Sequence, residues 1–227
     1  MKLNKKSIYI IMTVLFSSLL MSYIDVFILP PYFYRSAFKV VLFLLIPLIY
    51  FVLYTDELKN MKLLFVPKKK DFLIAISLGI IVYVIILGAY FLLKDYIDFN
   101  SIQNSLTQGV GVNADKYIYV ALYISFMNSL LEEFFFRGYS FILLKGKTNR
   151  LFAYIFSSVL FAFYHVGMTN GWFNGIIYVL AMLGLMIGGC IFNYLNEKCE
   201  NIYMSWLVHM FANFAINTVG CILFGII

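Results

Sequence analysis

Long runs of apolar residues alternate with short polar connections along the whole chain. A helix of about 20 apolar residues crosses the hydrocarbon core of a bilayer, so each run of that length predicts a membrane span. Seven runs qualify, and they cover approximately residues 8–29, 37–54, 72–93, 117–144, 151–167, 173–195 and 203–227. An eighth span is expected only if the last run breaks into two short pieces near Gly220. The pattern predicts an all-α polytopic transmembrane bundle.

The connections between these runs are too short to fold as a soluble domain. The longest polar one, residues 95–116, is expected to be a solvated outer loop or a lid over a cavity. It divides one integrated membrane domain into an N-terminal region, 1–116, and a helical core, 117–227. The first run is too long for a secretory signal and no small-residue cleavage site follows it, so it is interpreted as a retained anchor.

Composition excludes a soluble protein. Hydrophobic residues make up 63% of the chain and charged residues 12%, against about half and a quarter in ordinary globular chains. The three cysteines, Cys190, Cys199 and Cys221, are too few and too scattered for a disulfide framework or a CxxC metal site. They are interpreted as packing residues.

The excess of basic residues, 17 against 11 acidic ones, is explained by membrane topology and not by nucleic acid. Cytoplasmic loops of membrane proteins are enriched in Lys and Arg. With the N-terminus inside, twelve basic residues lie on the cytoplasmic side: Lys2, Lys5, Lys6, Lys59, Lys62, Lys68, Lys69, Lys70, Lys145, Lys147, Arg150 and Lys198. Only Arg35, Lys39, Lys94 and Lys116 lie outside, so a cytoplasmic N-terminus is predicted. The cluster at 68–70 is interpreted as an anchor that contacts anionic lipids.

Ionisable residues inside a span are costly and are therefore candidates for function. Asp25 and Lys39 lie near the ends of their predicted spans and are expected to reach the interface. The fourth span is different, because Glu132, Glu133 and Arg137 interrupt its apolar interior. Counted from the cytoplasmic edge, the two acids lie about 18–20 Å deep, which is too far for either side chain to reach water.

The positions of the two acids on the helix predict different partners for them. Glu133 and Arg137 stand in i, i+4 positions with the acid first, the favourable order for an ion pair within a helix. Glu132 is rotated by about 100° and is expected to have no partner in its own helix. Alternatively, all three charges form a buried network that only fixes helix packing.

The chain has two histidines, and both fall in predicted spans. His165 is about 22 Å from the cytoplasmic edge, close to the depth expected for Glu132. His209 is about 10 Å from that edge, and Asn213 lies one turn deeper on the same helix face. These residues are expected to line a common cavity with Glu132.

A carboxylate beside an imidazole in a cavity of low dielectric can activate water, because the glutamate accepts a proton while the histidine orients the water. A second histidine and an amide can donate hydrogen bonds to the oxyanion of a tetrahedral intermediate. These groups together predict amide hydrolysis within the membrane. As an alternative, Glu132, His165 and His209 could hold a catalytic zinc ion, although the chain has no HExxH motif.

Three motifs occur in order on three spans: Glu132-Glu133-x-x-x-Arg137, Phe161-x-x-x-His165 and His209-x-x-x-Asn213. The ordered set resembles the signature of the CPBP family, which comprises the Rce1-type CAAX prenyl endopeptidases and the bacterial Abi proteins. The resemblance covers residues 117–220, about half of the chain, and Phe136 and Gly138, which flank Arg137, extend it.

The resemblance implies an intramembrane endopeptidase. Glu132 is implied as the general base and His165 as its partner on the water, while His209 and Asn213 stabilise the oxyanion. Glu133 and Arg137 are implied as supporting residues. The resemblance to Rce1 favours a water activated by glutamate without an obligatory metal, and zinc stays the lesser alternative.

The substrate is expected to be a small hydrophobic or membrane-bound peptide. The richness in Lys, Ile, Phe, Tyr and Asn is typical of a low-GC bacterium, where CAAX prenylation is not expected. The bacterial relatives imply bacteriocin or pheromone processing, or self-immunity, at the cytoplasmic membrane.

Two other functions compete with the protease. One is a non-enzymatic membrane immunity or scaffold protein that uses Glu133 and Arg137 for packing alone. The other is a small transporter, a class that usually shows repeated halves with ionisable groups in both. Here the midplane charges lie in one span, which favours the enzyme.

Overall fold

The computed structural model describes residues 3–109, 111–169 and 175–227, without the side chains of residues 69, 70 and 168. Within these ranges the chain is helical and has no strand. The α-helices are α1 (Lys5–Tyr23), α2 (Tyr32–Val40), α3 (Ile46–Leu53), α4 (Leu58–Leu64), α5 (Lys69–Leu93), α6 (Phe99–Asn104), α7 (Ala114–Tyr123), α8 (Ser129–Glu132), α9 (Arg150–Met168), α10 (Gly175–Cys199) and α11 (Tyr203–Leu223). Five π-helical segments within the same ranges are Ile24–Ile28, Val41–Leu45, Ser105–Gly109, Ile124–Asn128 and Glu133–Leu143, and 3-10 turns occur at Thr55–Glu57 and Lys94–Tyr96.

Among the described residues, seven helical stretches are long and apolar enough to cross a membrane. They are Lys5–Ile28, Tyr32–Leu53, Asp71–Tyr96, Ala114–Leu143, Arg150–Gly167, Gly175–Cys199 and Tyr203–Leu223. The predicted all-α polytopic bundle is confirmed, and the protein is an integral membrane protein. The predicted start of the sixth span, at residues 173 and 174, lies outside the described residues, as do the side chains of two of the three lysines proposed as a lipid anchor.

The last span is one continuous helix, Tyr203–Leu223, so the alternative of two short pieces near Gly220 does not occur. Gly220 is buried within α11, and the ring of Tyr117 occupies the space that a side chain at this position would need. The glycine therefore permits a close helix contact instead of ending the helix.

The connection 95–116 contains short helical turns instead of an irregular loop, although many of its residues are exposed; residue 110 lies outside the described part. The Asp98 carboxylate caps the first turn of α6. Ile102 and Val112 are buried, at 5% and 3% exposure. Short helical turns with one apolar face each allow this polar segment to pack against the bundle.

Aromatic side chains fix the fourth span between the second and the fifth. The ring of Phe43 from the second span stacks on Phe135 at a centroid distance of 4.2 Å. It also contacts Tyr164 of α9 edge to face at 5.1 Å. Offset and edge-to-face ring pairs of this kind stabilise a packed core. The packing places the acidic stretch of the fourth span directly between these two helices.

Helices α5 and α10 lie at the periphery, since only 11% of each span is buried within the protein. Each of these two helices packs against a neighbouring helix through a close contact at a glycine. A Cβ at Gly189 of α10 would lie 3.1 Å from Ser158 Cα of α9, and a Cβ at Gly79 of α5 would clash with Phe211 of α11. Small residues of this kind let helices approach closely in a bilayer.

The connection between α10 and α11 is buried inside the protein. Asn201 and Ile202 are 2% and 0% exposed. The Ile202 amide donates a hydrogen bond of 3.1 Å to the carbonyl oxygen of Leu64, the last residue of α4. Helix α11 therefore begins below the surface of the bundle.

Glu57 joins three segments at the end of the bundle predicted to be cytoplasmic. Its carboxylate accepts hydrogen bonds from Lys6 Nζ at 2.9 Å, Asn60 Nδ2 at 2.8 Å and Lys147 Nζ at 3.0 Å. Burial alone would raise the pKa of the Glu57 carboxyl, but these three hydrogen bonds outweigh burial and lower that pKa to about 2.

The depressed pKa predicts a pH-dependent contribution to stability. The ordinary pKa of a glutamate is 4.5, so ionised Glu57 stabilises the folded protein above that pH, and the contribution disappears as the pH falls towards 2. The melting temperature of the wild type should exceed that of Glu57→Gln above about pH 5, and the gap should close by about pH 2. A gap that stays constant over this range would contradict the prediction.

Candidate active site

Both acidic residues of the fourth span are buried, and they lie where the span changes from α-helical to π-helical geometry. Glu132 is the last residue of α8, and Glu133 begins a π-helical segment of 11 residues. Their exposures are 1% and 0%. Segments of π-helix occur frequently at functional sites. The Glu132 carboxylate lies among α2, α9 and α11, whereas the Glu133 carboxylate contacts α11 and Arg137 of its own span.

One oxygen of Glu132, Oε1, is held by three donors. Asn128 Nδ2 donates at 2.8 Å and the Tyr164 hydroxyl at 3.1 Å, while Lys39 Nζ lies at 3.3 Å. Asn128 precedes Glu132 by one helical turn. The expectation that Glu132 has no partner in its own helix is therefore wrong.

The other oxygen of Glu132, Oε2, is buried and has no hydrogen-bond partner in the structure. It faces His165 Nε2 at 3.8 Å and His209 Nε2 at 3.9 Å. The structure thus brings together three of the predicted site residues from three different spans. These separations are too long for direct hydrogen bonds and suit groups that share a water molecule.

The contact made by Nδ1 of His165 determines which nitrogen of its ring carries the proton. Nδ1 lies 2.7 Å from the carbonyl oxygen of Phe161, one turn earlier in α9. Because a carbonyl can only accept, the proton is on Nδ1, and Nε2 of the neutral ring presents a lone pair towards Glu132. The Phe161-x-x-x-His165 spacing supplies this backbone partner locally.

The Glu133 carboxylate holds His209. Its Oε1 accepts a hydrogen bond of 2.9 Å from His209 Nδ1, and its Oε2 accepts one of 2.5 Å from the Ser205 hydroxyl. Because the carboxylate accepts from Nδ1–H, it fixes the orientation of the His209 ring and directs Nε2 towards Glu132 Oε2. Glu133 therefore acts on the site through His209.

The predicted ion pair between Glu133 and Arg137 is present, with 3.5 Å between Oε2 and Nε. The guanidinium is fully buried, and its nitrogens have no hydrogen-bond partner in the structure. It lies 4.1 Å from the ring centre of Phe161 and 5.3 Å from that of Phe192. Cation–π contacts in a desolvated site are worth about 2 kcal/mol each, so the rings help to keep this cation buried.

Asn213 lies on α11 one turn after His209, as the spacing predicts. Its Nδ2 donates a hydrogen bond of 3.2 Å to the carbonyl oxygen of Ile124, in the π-helical segment that precedes α8. The amide is therefore engaged with the backbone of the fourth span and not with Glu132.

Two expectations about charges at span ends are wrong. Lys39 and Asp25 are buried, at 8% and 2% exposure, and do not reach the interface. Asp25 Oδ1 lies 3.6 Å from Arg35 Nη1. The tight turn at Leu29, in the left-handed region with φ 49°, folds α2 back so that these side chains face the interior.

The site also contains residues that sequence reasoning missed: Lys39, Asn128 and Tyr164. Asn128 could have been found from its i, i+4 spacing to Glu132, and Tyr164 from its position beside His165. Lys39 is 93 positions from Glu132, so no local pattern connects them.

Counting residues also misjudged the depth of His209. The sequence places it about 8–10 Å nearer to the cytoplasmic edge than Glu132, yet their side chains are 3.9 Å apart. The buried start of α11 explains the difference, since residues 201 and 202 lie inside the bundle and not at its surface.

The zinc alternative has less support from this geometry. Across the described parts of the chain, no group of three or more His, Cys, Asp or Glu side chains is placed so that it could hold a metal ion. The Lys39 ammonium lies 3.3 Å from Glu132 Oε1 and would repel a divalent cation at the same carboxylate. Glu132, His165 and His209 suit a shared water better than zinc.

A membrane helix bundle with a buried carboxylate facing two imidazoles is an arrangement that can support acid–base chemistry within the membrane. Residues 114–215 match the family model for the type II CAAX prenyl endopeptidase, Rce1-like. This segment, slightly less than half of the chain, contains all six predicted site residues. The match supports an Rce1-type intramembrane protease, and members of that family are hydrolases acting on peptide bonds. No curated protein and no solved structure matches the chain.

Proposed function

We propose that the protein hydrolyses a peptide bond within the membrane by means of water activated by Glu132 and His165. One observation carries the proposal: the buried, unpartnered Oε2 of Glu132 faces the Nε2 atoms of His165 and His209 at 3.8 and 3.9 Å. A water on these atoms donates one hydrogen bond to Glu132 and a second to the lone pair of His165.

The reaction begins when Glu132 takes a proton from this water and the oxygen attacks the peptide carbonyl carbon. The tetrahedral intermediate then collapses as the carbon–nitrogen bond breaks, and Glu132 returns the proton to the leaving amine. A general base positioned in this way contributes about 10²- to 10⁴-fold to the rate. No redox chemistry is needed, and protons balance within the cycle.

His209 is proposed to stabilise the oxyanion of that intermediate. Because Nδ1–H is bonded to Glu133, Nε2 is the ring nitrogen that faces the site, and it donates to the oxyanion when it also carries a proton. Asn213 is proposed as a second donor, which requires its amide to leave the Ile124 carbonyl when substrate binds. Donors of this kind typically contribute about 10²- to 10³-fold each.

The substrate is proposed to be a small hydrophobic or membrane-bound peptide in a bacterial cytoplasmic membrane, with the N-terminus of the enzyme inside. A site enclosed by apolar spans favours such a peptide over a soluble one. Bacteriocin or pheromone processing and self-immunity are the roles proposed. The lysine distribution supports the orientation.

The proposal is tested with purified full-length protein in liposomes and an internally quenched fluorogenic peptide whose apolar half inserts into the bilayer. The peptide is used with and without a farnesylated CAAX end, because the matching family is described by that activity. Cleavage of at least one form by the wild type is expected. If neither form is cleaved by well-folded protein, the proposal is wrong.

Chelation distinguishes the favoured mechanism from the zinc alternative. We expect cleavage to survive prolonged incubation with a strong chelator, because Lys39 neutralises Glu132 without a metal. Cleavage before and after dialysis, with the metal content measured, checks this. Inactivation by the chelator that zinc alone reverses would favour the ligand set Glu132, His165 and His209.

A non-enzymatic immunity or scaffold role is the second candidate. The network of Glu133 with Arg137, Ser205 and His209 supports it, because such a network would fix the packing of the fourth span and α11 without any chemistry. Removal of the Glu132 carboxylate separates the two candidates.

A further inference from the structure

Lys39 is a charged residue of the site that comes from outside the segment matched by the family. It lies at the end of α2, and its ammonium is 2.7 Å from Asn128 Oδ1 and 3.3 Å from Glu132 Oε1. It also lies 4.9 Å from the ring centre of Tyr164. Only 8% of the residue is exposed. The N-terminal region therefore reaches directly into the proposed active site.

A buried ammonium costs several kcal/mol unless a counter-charge is close. The other buried carboxylates nearby contact other cations, Glu133 contacting Arg137 and Asp25 contacting Arg35, although the charge of Lys39 also acts on Asp25. This leaves Glu132 as the carboxylate in direct contact with Lys39. The pairing keeps Glu132 ionised in an apolar surrounding, where a lone carboxyl would hold its proton.

The contacts also select one carboxylate oxygen. Lys39, Asn128 and Tyr164 all approach Oε1, whereas Oε2 faces the two histidines. The Asn128 amide is oriented by Lys39, because its oxygen accepts from the ammonium and its nitrogen donates to Glu132. Removal of Lys39 therefore leaves Oε1 with two neutral donors and takes away the contact that orients the Asn128 amide.

We infer that Lys39 is a positioning residue for the reaction: it holds Oε1 of Glu132 and keeps the carboxylate ionised, so that Oε2 is directed at the water between the histidines. The inference rests on the proposed function, in which Glu132 is the base. It adds that the N-terminal region is required for the chemistry and not only for packing.

The protonation state of Glu132 tests the inference without any substrate. The groups that face this carboxylate are Lys39 from α2, Asn128 from its own helix, Tyr164 and His165 from α9, and His209 from α11, and the charges of Asp25 and Arg137 also act on it. Infrared difference spectra of Lys39→Met at neutral pH should show a new C=O stretch of a protonated carboxyl group. That band should be absent from the wild type and from the double variant Lys39→Met, Glu132→Gln.

The cleavage assay provides the second readout. Lys39→Met should lower kcat by about 10- to 100-fold, a part of what a general base contributes, and change KM by less than about threefold. Lys39→Arg keeps the charge and should restore most of kcat. Lys59→Met makes the same chemical change at an exposed position on α4 and is the matched control, expected to stay within about threefold of the wild type. In the Glu132→Gln background, Lys39→Met should have no further effect.

The outcomes separate this inference from the proposed function. Full kcat in Lys39→Met together with an inactive Glu132→Gln would overturn the inference alone, whereas an active Glu132→Gln would overturn the proposed function. A spectrum of Lys39→Met with no protonated carboxyl, or an equal loss of activity in the Glu132→Gln background, would show a merely structural role. If Lys39→Met does not accumulate in the membrane, Lys39→Gln, which keeps a polar contact to Asn128, gives the same test.

Discussion

Glu132→Gln should abolish peptide cleavage while the protein still folds. The amide keeps the shape of the side chain and can still contact Asn128 and Tyr164, but it cannot accept a proton from water. Loss of a general base predicts a fall in kcat of about 10²- to 10⁴-fold. The rate is measured with the quenched peptide in liposomes, and melting temperature and membrane level are measured on the same samples.

The matched control is Glu200→Gln, the same chemical change at an exposed position in the connection between α10 and α11. Its cleavage rate should equal that of the wild type. Glu132→Ala, which also removes the contacts of Oε1, should be as inactive as Glu132→Gln but less stable. Unchanged processing by both Glu132 variants at normal membrane levels would leave the immunity or scaffold role as the better account.

Glu133→Leu should have the largest effect on folding. The substitution removes the carboxylate that accepts from His209 and Ser205 and leaves the Arg137 guanidinium buried without a counter-charge. Breaking a buried pair by removing one partner costs about 3–5 kcal/mol. We expect a strongly reduced membrane level and a lower melting temperature in detergent.

The double variant Glu133→Leu, Arg137→Met tests that cause. It removes both charges, so much of the lost stability should return, because apolar replacements of a buried pair are often neutral. Cleavage should stay low, since His209 has lost the carboxylate that orients its ring. A double variant no more stable than Glu133→Leu would show that the uncompensated charge is not the cause.

The two predictions distinguish two kinds of buried acid in one helix. Glu132 has a carboxylate oxygen with no hydrogen-bond partner, whereas both oxygens of Glu133 accept hydrogen bonds. A fully satisfied carboxylate stabilises structure, and an oxygen directed at two imidazoles is available to substrate water. This difference in hydrogen bonding supports different roles for Glu132 and Glu133.

The spans could be predicted from the sequence within a few residues, because the length of an apolar run is a local property and the bilayer sets the required length. The Glu133 and Arg137 pair is local too, since one helical turn brings i and i+4 together whatever the rest of the chain does. The His209 and Asn213 spacing likewise places both side chains on α11 one turn apart.

The expectations from sequence that the structure changed concern features that depend on packing between helices. The polar segment 95–116 was expected to be a loop, but its few apolar side chains pack inward and hold it in helical turns. Gly220 suggested a break, but the close approach of Tyr117 explains the glycine within a continuous helix. In both cases residues distant in sequence supply the contact that determines the local conformation.

By itself the sequence determined the membrane bundle, the two acids and the two histidines, because hydrophobic length and the cost of charge in lipid are written along the chain. Only the tertiary structure determined how these side chains come together in one site. The buried start of α11 brings His209 to the level of Glu132, and the fold of α2 delivers Lys39 across 93 positions of sequence. Neither could be predicted by counting residues, since both depend on where the ends of the helices lie relative to one another in space.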